Sequence, residues 1–254
     1  MPYFRGPRLK IERAEKHIND LNGEIDRFAT HGSYSLSIYN NPKTGDDGVQ
    51  VEVSKFVPDT FGLLIGDALH NLRGSLDNAM NEVVYRRLRS YDLHTKFPIR
   101  ITREKLVAAI DGAAIHRTSK AVRDFIVEVV KPYKGGNDAL WALHDLNDLD
   151  KHRLLLPVMN VNVIHNICVE DKRGEKIVFS PWILSGNSTA RYDLIARGGN
   201  TKITDNGQPS LLVLFDNGFP FAGMPVIETL HKLTEVVRST VEGIETVFFG
   251  EKWP

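Results

Sequence analysis

A single cysteine, Cys168, is all the thiol chemistry the chain holds. An intrachain disulfide and a cysteine-rich zinc site are therefore excluded, and a reducing cytoplasm is the expected location. Long apolar runs are missing too. None approaches the roughly 18–20 residues of a membrane helix, and MPYFRGPRLKIERAEK lacks the apolar core of a signal peptide. The expectation is a cytoplasmic protein with no membrane contact. Net charge is absent as well: 32 Lys and Arg offset 32 Asp and Glu, a balance that selects no partner. Several common motifs do not occur. There is no G-x-x-x-x-G-K-[ST] loop, no G-x-G-x-x-G after a strand, no G-x-S-x-G elbow and no H-E-x-x-H. No cofactor is called for.

What is present is an ordinary globular composition with an uneven charge distribution. Between Arg86 and Lys134 stand twelve basic and five acidic side chains. Such an excess gives mild support to a phosphate-bearing partner such as RNA, although a solvated basic surface is the commoner source of one.

Apolar periodicity predicts an α+β fold in a single domain. Its frame is an antiparallel helical bundle of about five main helices, drawn from about 7–30, 60–152 and 225–248. Ile11, Ala14, Ile18, Leu21 and Ile25 make the first stripe, and His17 lies off it as an expected surface residue. Val226, Leu230, Leu233, Val237, Val241, Ile244 and Phe248 make the last. Alternating residues predict an N-terminal β-hairpin inside 33–56 and a second small antiparallel sheet inside 157–216. Within the second, Val158–Val169 is expected as one strand, and His165 and Cys168 should point to opposite faces, too far apart in direction for a dyad. The apolar stripes also leave room for a homodimer.

Two helices carry more polar residues than a core element should. In the first, around GDALHNLRGSLDN, an apolar front of Phe61, Ile65, Ala68, Leu72, Leu76, Ala79 and Val83 separates two polar flanks. His70, Arg73 and Asp77 line one flank, and Asp67, Asn71, Gly74 and Asn78 the other, as expected for a helix set between neighbours. Gly66 and Gly74 would allow close approach by another backbone. In the second, LHDLNDLDKHRLLL, the wheel puts Asp150 on the leucine side and Asn147 at its edge. A carboxylate there needs a donor or a cation. Arg73 is the first candidate, with Lys151 and Arg153 as local rivals. The two helices are expected to face each other around a polar site. His144, Asp148 and His152 follow at four-residue steps, which would suit a metal, but their face is opposite the leucines and no metal site is assigned.

HNLRGSLDN followed by LNDLDKHR resembles a signature of uncharacterised bacterial proteins, GD-x-LHNLR-x-x-LD with LN-x-x-DKHR, over about residues 60–156. Arg73 and the position of Asn78 also resemble the R-x(4–6)-H pattern of HEPN-type helical ribonucleases. That resemblance implies metal-independent RNA cleavage, often across a dimer interface. Asn78 departs from it, because an amide is no general acid or base near neutral pH. His70 or His152 would have to replace the missing histidine.

Three functions follow as expectations. The first is an HEPN-like RNA-acting protein or inactive relative, with catalytic His70, Arg73, Asp150 and His152 and with Asn71, Asp77, Asn78, Asn147, Lys151 and Arg153 contacting the ligand. The alternative is a non-enzymatic ligand-binding or interaction protein whose polar residues form a structural network. The third is a small-substrate hydrolase using His and Asp as acid and base.

Overall fold

The computed structural model describes residues 4–31, 34–43, 45–53, 57–89, 95–112, 117–152, 158–180, 182–185, 193–196 and 200–251. Among them the architecture is α+β. Four long helices form the frame: α1 (Arg5–His31), α2 (Asp59–Leu88), α5 (Asp138–His152) and α6 (Val226–Gly250). Two short ones, α3 (Arg103–Asp111) and α4 (Lys120–Asp124), lie between α2 and α5. Each short helix starts where a hydroxyl can cap it. Thr102 accepts from the Lys105 N–H at 3.3 Å, and Ser119 from the Val122 N–H at 3.1 Å.

α1, α2 and α6 pack on one another, and α5 lies against α2 and α6. The predicted stripes are the buried ones. Ile11, Ile18 and Leu21 meet Ile65, Leu72 and Leu76, with Leu230, Val237 and Ile244 in the same core. His17 corrects one expectation. It is 9% exposed, not a surface residue, because the seam between α1 and α2 is wide enough to take in the polar edge of each stripe. Burial lowers its pKa, and the nearby Asp67 carboxylate, 4.0 Å away, opposes that shift.

An irregular turn follows α4. The helix does not stop at Asp124 but passes at Phe125 into a π-helix, Phe125–Val130. It closes with the Lys131 N–H donating to the Ile126 carbonyl at 2.9 Å, five residues back.

The β portion is larger than the sequence suggests: three three-stranded antiparallel sheets. The hairpin β1 (Tyr34–Asn40) and β2 (Asp47–Val53) is joined by β7 (Asp193–Ala196), which pairs Asp47 with Ala196 and Gln50 with Asp193. The expected strand Val158–Val169 is two strands, β3 (Val158–His165) and β4 (Ile167–Glu170). Asn166 breaks it with a φ of 61°, a left-handed conformation that asparagine tolerates. Gly207 lies under the bend, where a Cβ would meet the His165 carbonyl at 2.5 Å. His165 and Cys168 thus stand on different strands, and the expected face argument for them lapses. β5 (Lys176–Phe179) and β6 (Trp182–Ser185) belong to different sheets. β6 and β9 (Gln208–Phe215) flank β3, while β5 and β8 (Lys202–Asp205) flank β4. Val213 and Phe215 of β9 reach the helical core, and Val49, Val51, Ile164, Ile167 and Val169 form a smaller one. Asp47 ties the sheets together. Its carboxylate accepts from the Thr201 N–H at 2.8 Å and the Asn40 amide at 3.0 Å, which lowers its pKa. No helix among the described residues is long and apolar enough to cross a membrane.

Candidate functional site between two helices

The two polar flanks of α2 face different neighbours. The amide-rich flank meets α1. Lys10 donates to Asn71 Oδ1 at 3.1 Å, and the Asn71 amide returns to the Asp67 carbonyl at 2.8 Å. A Cβ on Gly6 would lie 3.8 Å from the Asn78 amide, and Ser75 donates to the Pro7 carbonyl at 2.9 Å. Asn71 and Asn78 are thus turned toward the first helix, away from α5.

The other flank divides along its length. Toward the C-terminal end of α2, Arg73 and Asp77 grip an extended segment that runs back along the helix. Arg73 is 8% exposed. One end of its guanidinium pairs with Asp77 Oδ1 at 2.6 Å, and the other donates to the Phe97 carbonyl at 2.8 Å. The same Asp77 oxygen accepts from the Phe97 N–H at 2.8 Å. Asn81, one turn on, donates to the Thr95 carbonyl at 3.3 Å. Three side chains at helical spacing therefore satisfy the backbone of residues 95–97, which has no sheet to pair with. Phe97 is buried as a result. The expected Arg73–Asp150 pair is not formed. Arg73 is held by Asp77 and Phe97.

Toward the N-terminal end of α2, α5 comes close. The Asp150 carboxylate lies over the backbone of Gly66: a Cβ there would stand 2.4 Å from Asp150 Oδ1. Only glycine leaves that room, and Gly62, one turn earlier, is buried too. Arg73 is seven residues beyond Gly66, roughly 10 Å along the axis at 1.5 Å per residue. Asp150 and Arg73 therefore belong to two separate centres on one flank. His70, one turn from Gly66, is exposed beside the first.

Asn147 is the residue of this seam that stands out. It lies one turn before Asp150 on α5 and is 1% exposed, yet among the described residues neither its amide nitrogen nor its carbonyl oxygen has a partner. Buried polar atoms without partners are uncommon in native proteins and ask for a reason. Sequence reasoning placed Asn147 at the edge of the apolar face. What the sequence could not show is that its amide would be left bare.

Arg153 lies outside the described residues, as do the side chains of Lys151 and His152. His144 and Asp148 approach to 3.5 Å on the outer side of α5. Among the described residues no group of three His, Cys, Asp or Glu side chains is placed to hold a metal ion. The arrangement can therefore do two things. It fixes the segment 95–97 through Arg73 and Asp77, and it presents a carboxamide and a carboxylate where α5 crosses Gly66. No protein-family model, curated protein or solved structure matches the chain, so the site rests on its own geometry.

Proposed function

We propose that this is a non-enzymatic binding protein in which the seam between α2 and α5 takes a small polar ligand, while Arg73 and Asp77 are architectural. The observation that carries the reading is the buried Asn147 amide, which has no partner among the described residues. A bare donor and acceptor cost stability, about 1–3 kcal/mol for each unsatisfied group. Sites that break a folding rule in this way are where function concentrates. A carboxamide offers one acceptor and two donors, and the Asp150 carboxylate one turn away adds acceptors and negative charge. Together they suit a ligand rich in donors: an amide, an amidine or an amine. Gly66 supports the reading by leaving Asp150 its place.

The ribonuclease reading, with Arg73 on the scissile phosphate and His70 or His152 moving protons, draws on the sequence resemblance alone. The buried, doubly engaged guanidinium of Arg73 gives it no support. A homodimer and a cytoplasmic location likewise rest on the sequence.

The test is a titration of isotope-labelled protein with acetamide, acetamidinium and methylammonium, followed through the side-chain amide resonances. The expected result is a saturable shift of the Asn147 NH2 signals, abolished in Asp150→Ala for the two cations. If all three probes leave those signals in place up to high millimolar concentration, the seam is not a binding site.

A further inference from the structure

The π-helix has a consequence away from the seam. It packs against α6, and a cavity of about 400 Å³ lies between the two. Small-molecule sites occupy about 300–1,000 Å³. One wall is Phe125, Val129 and Val130, and the facing one is Val236, Ser239 and Thr240 of α6. An α-helix would not build the first wall. At about 100° per residue Val129 would stand about 40° from Phe125, but Val130 about 140° away, on the other side. The Lys131 N–H bonds five residues back, to the Ile126 carbonyl, and so wide a turn brings the fourth and fifth positions together over the first. π-turns of this kind are frequent at functional sites. On α6, Gly243 continues the strip of Ser239 and Thr240. A Cβ there would stand 2.2 Å from the Phe125 ring, so glycine is what lets the ring rest against the α6 backbone.

The chemistry of the lining is uneven. Thr240 spends its hydroxyl on the Val236 carbonyl at 2.7 Å and adds apolar surface. Val129 is 66% exposed, a large apolar side chain facing open space. Asn137, also in the lining, gives its Oδ1 to the Leu140 N–H at 3.1 Å. The strongest acceptor that remains is Glu235, the one ionised group in the lining among the described residues. Its cation is Arg238, 3.6 Å away, and Arg238 is shared with Glu15, which it holds at 2.6 Å. Two carboxylates on one guanidinium leave the trio with an excess of one negative charge. An anionic ligand would meet that charge, and a hydrocarbon would leave it unused.

We propose that this cavity binds a small organic ammonium ion, with its apolar body between the π-helix and α6 and its ammonium at Glu235. The site shares no residue with the seam between α2 and α5.

The experiment is a titration of methyl-labelled protein, read at the methyl signals of Val129, Val130 and Val236. The probes are phenethylammonium, phenylacetate and methylammonium. Phenethylammonium should shift those signals saturably. Phenylacetate has a similar body and the opposite charge, and should bind about three- to fivefold more weakly, the scale of an exposed charge pair. Methylammonium, the head without the body, should leave the signals in place. Glu235→Lys should remove the preference for the cation. Ser239→Trp should fill the cavity and abolish the shifts. Both positions are exposed, where substitution costs little, and the spectrum of each variant confirms its fold. No saturable shift up to high millimolar phenethylammonium overturns the proposal. So does phenylacetate binding as tightly, methylammonium producing the same shifts, a preference that survives Glu235→Lys, or unchanged binding in Ser239→Trp. The Asn147 signals report on the seam separately, and Asn147→Leu should leave the valine shifts unchanged.

Discussion

Replacing Asn147 by leucine should make the ligand-free protein more stable. The side chain is 1% exposed, and both polar atoms are buried without partners among the described residues. Each such atom costs about 1–3 kcal/mol relative to an apolar group in the same place. Leucine branches at the same carbon, so two methyl groups take the positions of oxygen and nitrogen. The extra volume offsets part of the gain, because overpacking costs about 1–3 kcal/mol. A net gain of about 1–3 kcal/mol remains. For a chain of this size that is about 2–4 °C of melting temperature per kcal/mol. Urea unfolding of the ligand-free protein measures it, with an unchanged m-value as the check that the unfolded state is the same. Asn147→Ala separates the two contributions, since it removes the amide without overpacking. If both variants lose more than about 1 kcal/mol, the amide is bonded within the native protein and the argument from its bareness fails. A stabilised Asn147→Leu whose melting temperature, unlike that of the wild type, no longer rises with acetamide would show stability yielded for binding.

Other perturbations test the rest of the frame. Arg73→Met leaves Asp77 without its cation in a largely buried place, and should lower stability by about 2–4 kcal/mol, somewhat less than a fully buried broken pair because Asp77 is partly exposed; urea midpoints equal to wild type would show the clamp to be idle. Gly66→Ala should destabilise despite alanine's advantage of about 1 kcal/mol in a helix, because the new Cβ meets the Asp150 carboxylate; in an Asp150→Ala background the same change should stabilise, and a penalty that persists there places the clash elsewhere. His17, with its pKa lowered by burial, makes folding favour its neutral form. That contribution is present above the unfolded value of 6.5 and is lost as pH falls through the lower folded value. Thermal melts should therefore fall less between neutral and mildly acidic pH in His17→Gln than in wild type, and parallel curves would exclude the effect. Glu251 accepts from Ser119 and the Ala121 N–H beside Arg87, and these bonds outweigh the upward push of burial on its carboxyl. Its stabilisation should be present above the ordinary carboxylate range and lost as pH falls through its lowered value, and Glu251→Gln should remove that acid-side loss.

The helices were legible because each buries a wide apolar stripe. α2 shows how far such reading reaches. Its wheel separates two polar flanks, and the structure gives each its own neighbour, α1 for Asn71 and Asn78, α5 and the 95–97 segment for the other. Partner choice was not legible. Asp150 on an apolar face called for a cation, and Arg73 was the nearest in residue type. What decided the matter was a backbone segment with unsatisfied groups of its own, and nothing in a side-chain pattern reports where a loop runs. His17 was misplaced because a helical wheel shows angle and says nothing of how close the neighbouring helix comes. The β portion was read as strands, but its division was not: a break at Asn166 and the pairing of β2 with β7 depend on single-residue conformation and on contacts remote in sequence.

The clamp on Phe97 gives α2 an unusual second role. Through Arg73, Asp77 and Asn81 its side chains act as the edge to which an extended chain is hydrogen-bonded, a task ordinarily left to a neighbouring strand. Residues 95–97 belong to no helix or sheet, yet the Phe97 amide is bonded and buried. It should exchange its hydrogen with solvent as slowly as the core amides of α2 and well behind those of other connecting segments. Residues 95–97 thus open only when that helix does, and the two form one cooperative unit although only one of them is regular.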